Sequence, residues 1–350
     1  MAEEDDNELI MVAIQHYQTA LGLFIEHLGS PEKQGWITFP ALWLFIHYEQ
    51  QYGDDPSVLQ KHLQGLRDVI AFHGAAILPY AIGGQDPLDH CDDTDVAWHM
   101  IDRTALWTID HDACAAFFGF GGSLVRLVIE QYPGSLSRLI KSSRNALSQA
   151  FGPDYPAEGQ LWDTQHSQIE MFQYSLITLR FGISNLDGSS EASDLLDFAR
   201  KLKQVEEEFS SLLCVALSPQ ASDGGISSNM CIPTAQFYAI VALYERQMYR
   251  TQPVAAIAKV LYACAKLAEV APSNYLWRVA WPMFVAALET DDLIHQQWVL
   301  GRFKEMQVCG ENLRRARIFL EVALKEQRRT GQRVPYLSWL KEGPFEKFVL

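Results

Sequence analysis

Apolar residues recur along this chain with the spacing of a helix. Between Leu9 and Leu28 they fall at Ile10, Ile14, Tyr17, Leu21, Phe24 and Leu28, steps of three and four that collect on one face of a 3.6-residue turn. Pro31 and Gly35 then close the segment. ALWLFIHYEQQY, after Pro40, supplies a second helix that ends at Gly-Asp-Asp-Pro, and a third is expected beyond Pro56 with Ser57 as its cap. Gly53 to Gly74 therefore reads as the turn and second arm of a helical hairpin. Period-two alternation bounded by Asn-Gly or Asp-Gly turns is scarce. The expected fold is all-α, an irregular multi-helix array of antiparallel helical hairpins.

Further along, AIGGQDP, FGFGG, QYPGS and GPDYPAEG break the pattern. Helical spacing returns from Gln160 to Phe181, and DLLDFARKLKQVEEEFSSLLCVAL is expected as one long amphipathic helix. SPQASDGGISSNMCIP reads as a mobile loop. Beyond it, VAAIAKVLYACAKLAEV holds its charges at Lys259, Lys266 and Glu269, so that helix is expected to pack on most of its circumference. The organisation expected is an acidic N-terminal tail over residues 1–8 and a single helical domain over 9–350. Sub-division, if any, would fall near 182–193 or 218–233.

Composition adds constraints. The 48% hydrophobic content supports a substantial core, and 43 acidic against 28 basic residues give a net charge of −15. Such a charge repels phosphate backbones and anionic membranes, so neither direct nucleic-acid contact nor membrane binding is expected. Arg302 to Arg333 carries nine Lys/Arg against four Glu, the pattern of a solvated helix face. The six cysteines are 17 to 100 residues apart without a C-x-x-C, which reads as free thiols in a reducing, intracellular compartment. No signal-peptide pattern opens the chain, and no apolar run approaches the roughly 20 residues a membrane span needs.

Candidate chemistry concentrates in DHCDDTDVAWHMIDR, Asp89 to Arg103. A helix starting near Asp92 or Asp93 would put Asp95, His99 and Asp102 on one face, a pattern compatible with a cation site or an acid–base pair. Aspartates at a helix start also cap free amides and complement the dipole, and that is their ordinary role. Asp92-Asp93-Thr94-Asp95-Val96 fails the D-D-x-x-D pattern of diphosphate-dependent cyclases at its last position. Asp291-Asp292-Leu293 lacks the companion motif, with His295 and Val299 where a hydroxyl residue and glutamate would stand. Gly119-Phe120-Gly121-Gly122 is neither a Walker loop nor a dinucleotide fingerprint, and Gly134-Ser135-Leu136-Ser137-Arg138 lacks the last glycine of a nucleophile elbow. No metal ligand set and no cofactor are expected.

The most distinctive segment is WRVAWPMFVAALETDDLIHQQWVLGRFKEM. It resembles the regulatory domain of fungal binuclear zinc-cluster transcription factors, where a W-P-x-F-x-A helix precedes a glutamate, an acidic turn and a helix bearing tryptophan. The matching residues are Trp281, Pro282, Phe284, Ala286, Glu289, Asp291 and Trp298, while Ala287 stands where the family often has Gly. Pro282 suits a first helical turn or a kink, Trp281 and Phe284 offer large areas for burial, and Asp291-Asp292 would cap the Trp298 helix. An early hairpin with an H-L-x-G-x-x-x-x-I pattern, on His62, Leu63, Gly65 and Ile70, agrees with the same family. The resemblance runs from about Glu8 to about Arg329.

That resemblance implies a nuclear (or cytoplasmic) transcription regulator. The six-cysteine zinc cluster of the standard layout has no counterpart in this sequence, whose first cysteine is Cys91. The expected function is regulation without an own DNA-binding module, through regulator proteins or a small effector, in a setting such as secondary metabolism. The alternative is an isomerase, cyclase or hydrolyase built on the same scaffold, using Asp95 or Asp102 with His99, and Trp98 or Trp107 as pocket walls.

Overall fold

Helical spacing is realised throughout the described residues. The structure, a computed structural model, describes residues 2–27, 35–83, 94–186, 190–219, 225–249, 251–271 and 273–350, which hold fifteen α-helices and no strand. The first three are α1 (Ala2–His27), α2 (Gly35–Tyr52) and α3 (Pro56–Ile77). The acidic residues at the start of the chain lie on α1, which begins at Ala2. In α2 the helix starts before Pro40 and includes it. Standing sixth in the helix, Pro40 forfeits the one backbone bond that its missing N–H would have made. Asp55, not Ser57, caps α3: its carboxylate accepts from the Ser57 amide at 2.9 Å and from the Ser57 hydroxyl at 2.6 Å.

Next come α4 (Thr94–Phe117), α5 (Ser123–Gln131), α6 (Ser135–Phe151) and α7 (Ala157–Asn185). The glycine breaks are tight corners between them. Gly122 has φ +92°, a conformation L residues rarely adopt, and a Cβ on neighbouring Gly121 would come within 2.3 Å of the Asp112 carbonyl. Asp112 replaces the cap that Gly122 cannot provide, its carboxylate accepting from the Val125 amide at 2.8 Å. The long helix expected after residue 193 is two, α8 (Ala192–Glu208) and α9 (Ser210–Ala216), because Phe209 leaves helical geometry at φ −106°, ψ 19° and buries its ring. The expected loop before residue 233 is shorter than the sequence suggests: Gly225–Pro233 is the start of α10 (Gly225–Tyr249), with Cys231 and Ile232 buried.

The remaining helices are α11 (Val254–Val270), α12 (Ala280–Glu289), α13 (Leu293–Met306), α14 (Glu311–Thr330) and α15 (Tyr336–Glu342), with a 3-10 turn at Ser273–Val279. Every residue of α12 is buried, as befits a helix apolar on all sides that touches α10, α11, α13 and α14. Phe284 alone contacts the rings of Phe118, Phe319 and Phe348, and full burial of such a side chain is worth about 1.5–3 kcal/mol. Pro282 sits in the first turn of α12, where its missing N–H costs nothing.

The end of α12 explains the glutamate of the signature segment. Its last carbonyls have no helical partners. Arg333 donates to the carbonyls of Leu288 at 2.7 Å, Glu289 at 2.9 Å and Thr290 at 3.0 Å, and to the Asp291 carboxylate at 2.6 Å. The Glu289 side chain, 1% exposed, accepts from the Tyr336 hydroxyl at 2.8 Å and lies 3.7 Å from Arg246. Of the acidic pair, Asp292 caps α13, accepting from Ile294 at 2.7 Å, whereas Asp291 pairs with Arg333.

Two apolar cores result. One is drawn mainly from α1 to α6, around Phe39, Leu66, Ile101 and Leu124, with Tyr174 and Ile177 of α7; the other is drawn mainly from α7 to α15 and the C-terminal Phe348 and Val349, with Ile46, Leu59, Leu63 and Phe117 from α2, α3 and α4. α4 and α7 cross where the two meet, with α2 and α10 beside them.

Candidate functional site

The junction of the two cores is not filled. It encloses a cavity of about 590 Å³, partly open to solvent, within the range that takes a drug-sized ligand. α4 contributes Arg103, Trp107, Asp110, His111 and Cys114, residues at helical spacing that form one stripe. α2 adds Trp43, His47 and Gln50 at the same spacing, while α7 brings Trp162, His166, Glu170 and Tyr174. Arg180, Asn229, Gln236 and the turn residues Tyr275, Trp277 and Arg278 complete the wall, with Trp281 of the signature segment. Five of the nine tryptophans therefore face one cavity.

Aromatic contacts hold these walls in place. Trp43 packs against His47 with ring centroids 5.4 Å apart and against Trp107 at 5.3 Å, and the Trp107 indole donates to the Tyr174 hydroxyl at 3.2 Å. Arg103 stands over the Trp107 ring at 5.3 Å, and Arg278 over Tyr275 at 5.1 Å. The indole N–H groups of Trp43 and Trp281 have no partner among the described residues. Trp162 and Trp277 are 51% and 37% exposed, which with exposed Arg278 marks the mouth.

The floor is charged. Arg180, only 5% exposed, pairs with Asp110 at 2.7 Å and donates to the Cys114 sulfur at 2.6 Å. Burial raises the Asp110 pKa against the pull of Arg180 and Arg278. Yet 24% of the Asp110 side chain stays accessible, the part that faces the cavity. Burial pushes His111 down to about 3 and also lowers His47, so both imidazoles are neutral at pH 7. Cys114 is pushed up to about 11 by burial, which leaves a neutral thiol. Such a floor holds a polar ligand group by hydrogen bonds and lacks an activated nucleophile.

The residues singled out from sequence are placed differently from one another. Trp107 lines the cavity. The side chains of Asp95 and Trp98, like the whole of residues 84–93, lie outside the described residues. His99 and Asp102 are buried between α4 and α6, away from the cavity: His99 Nδ1 is 2.8 Å from the Ser142 hydroxyl and its ring packs on Tyr80. Burial pushes Asp102 up to about 7, with Ser142 opposing. The cavity stripe of α4 begins at Arg103, one position on from Asp102, which is a rotation of about 100° around the helix. Asp110, His111 and Arg180 were the residues missed. Their signal was present as R-x3-W-x2-D-x3-C, a polar and aromatic stripe in register with W-x3-H-x2-Q of α2.

No group of three or more His, Cys, Asp or Glu is placed to hold a metal among the described residues, and none of their helices is long and apolar enough to cross a membrane. No disulfide joins the cysteines there.

Fold and site together define an all-helical module built around a ligand-sized aromatic cavity. The fungal specific transcription factor domain model matches residues 134–342, and the chain belongs to that family. The match contains the segment Trp281 to Trp298; the early hairpin precedes it. No curated protein and no solved structure matches the chain. The cavity straddles the edge of the match, with α7, α10 and Trp281 inside it and the α2 and α4 walls before it.

Proposed function

We propose that this protein is a transcription-regulatory module, working in the nucleus, whose output is set by a small effector held in the central cavity and passed on through partner proteins. The observation that carries the reading is the cavity itself, about 590 Å³ with five indoles and a charged floor, in a family of transcriptional regulators. The net charge of −15 supports leaving DNA contact to other polypeptide, and an aromatic effector of the kind secondary metabolism produces suits the walls. The enzymatic alternative on residues 89–103 has less support, because His99 and Asp102 pack against Tyr80 and Ser142 and not into the cavity.

The test is a reporter assay with the chain tethered to a heterologous DNA-binding domain, beside Asn229→Trp, which fills the mouth. The tethered chain should change reporter output, and N229W should hold it at one level whatever the growth medium. A tethered chain with no effect, or an N229W variant with the full response, would sink the reading.

A further inference from the structure

The charges and rings of the cavity specify more than a small effector; the following rests on the reading of the cavity as a binding site. We infer that its ligand is a planar aromatic anion rich in hydrogen-bond acceptors, an aromatic carboxylate or an equally acidic phenol, whose negative charge is met by Arg278. Three guanidinium side chains line the cavity, Arg103, Arg180 and Arg278, against two carboxylate side chains, Asp110 and Glu170. Arg180 is committed to Asp110 at 2.7 Å and Arg103 is 3.5 Å from Glu170. Among the described residues no carboxylate lies within ion-pair distance of Arg278, although its charge pulls on Asp110 from farther off; it donates to the Tyr275 hydroxyl and is exposed at the mouth. The imidazoles of His47 and His111 add no charge, being neutral.

A cluster of aromatic rings with acids nearby would elsewhere suit a cation. Here that reading fails, because Arg103 and Arg278 already occupy the faces of Trp107 and Tyr275 and would repel a second positive group. Beyond the Arg180–Asp110 ion pair, the unpartnered donors of the lining, the Trp43 and Trp281 indoles and Arg180 Nε, outnumber the unpartnered acceptor Gln50 Oε1, while His47 Nδ1 and His166 Nε2 can serve either way. Indole walls favour flat rings, which bury area without losing torsional freedom. An anion also stands to gain from Arg278 in a semi-enclosed site far more than it would in water.

The experiment is calorimetric titration of the full chain with three probes of one shape: naphthalene-carboxylate, its neutral carboxamide, and naphthylmethylammonium. The carboxylate is expected to bind about tenfold or more tighter than the amide, with the ammonium weakest. Arg278→Gln should lower the carboxylate to the affinity of the amide and leave the amide unchanged. N229W should abolish binding of all three. An amide equal to the carboxylate, an ammonium that binds best, or an R278Q protein that keeps the preference would overturn the anion assignment while leaving the cavity a binding site. Absence of any saturable binding removed by N229W would overturn both. Comparison of the three probes on the unaltered protein does not depend on whether a variant folds.

Discussion

Two carboxylates, the buried Glu289 and the half-buried Asp110, show what separates a structural polar cluster from a site. Glu289 is 1% exposed, and the groups around it leave no space: Tyr336 donates to its side chain, Arg246 lies beside it, and Arg333 covers the adjoining carbonyls. Asp110 has a shorter ion pair, to Arg180 at 2.7 Å, but a quarter of its side chain faces an open cavity. Burial raises the pKa of both, opposed in each case by arginine. Charge and partner type are thus the same, and the difference lies in packing. Where donors and apolar walls close over a carboxylate it locks helices together; where they stop short, it is left able to meet a ligand.

The sharpest test of that contrast is Glu289→Ala, which takes the acceptor from the buried Tyr336 hydroxyl in a closed space. It should lower the unfolding free energy by about 3 kcal/mol, read as a fall in the denaturant midpoint. Asp102 extends the comparison to a closed carboxylate with no ion pair, its pKa raised from 3.8 to about 7. A carboxyl raised on folding contributes stability below pH 3.8, and that contribution is lost as pH climbs to about 7. Stability should therefore decline across this window by about 2–4 kcal/mol, and Asp102→Asn should remove most of the decline. A D102N protein with the unaltered pH profile would mean that another group controls it.

Asp110→Ala should cost less than E289A, about 1–2 kcal/mol, because water entering the cavity can solvate the orphaned Arg180. If chemical denaturation showed D110A to be as damaging as E289A, the distinction between closed and open clusters would collapse. Asp292→Ala gives the smallest effect, about 1 kcal/mol: it removes the α13 cap, and water reaches the freed amides.

Much of the fold was legible. The apolar spacing of α1 and α11 and the turn before α3 are patterns complete within a few residues, so local geometry alone expresses them. The signature segment also told its own story, since Trp281 and Phe284 are buried where the resemblance placed a core, while the burial of Glu289 at its end came from the structure. Errors fell where distant partners decide: α8 and α9 separate at Phe209, whose ring stacks on Phe172 at 4.8 Å, and α10 begins in a Gly/Ser-rich run because Cys231 and Ile232 have a core to enter. The site was harder. A stripe such as Arg103, Trp107, Asp110 and Cys114 looks in isolation like any mixed helix face, and the denser acids that precede it form the more conspicuous pattern.

By itself, then, the sequence determined helical class, the family segment and an acidic exterior, because periodicity, caps and charge are properties of short stretches or of totals. Only the tertiary structure decided which stripe became a site. Trp43, Asp110, Arg180 and Arg278 are separated by about a hundred residues or less at each step, and they meet because two apolar cores pack together and leave the polar faces of their helices turned toward each other. Burial drives that association without regard to what it encloses, so the chemistry of the cavity follows from the packing of helices whose own sequences do not reveal it.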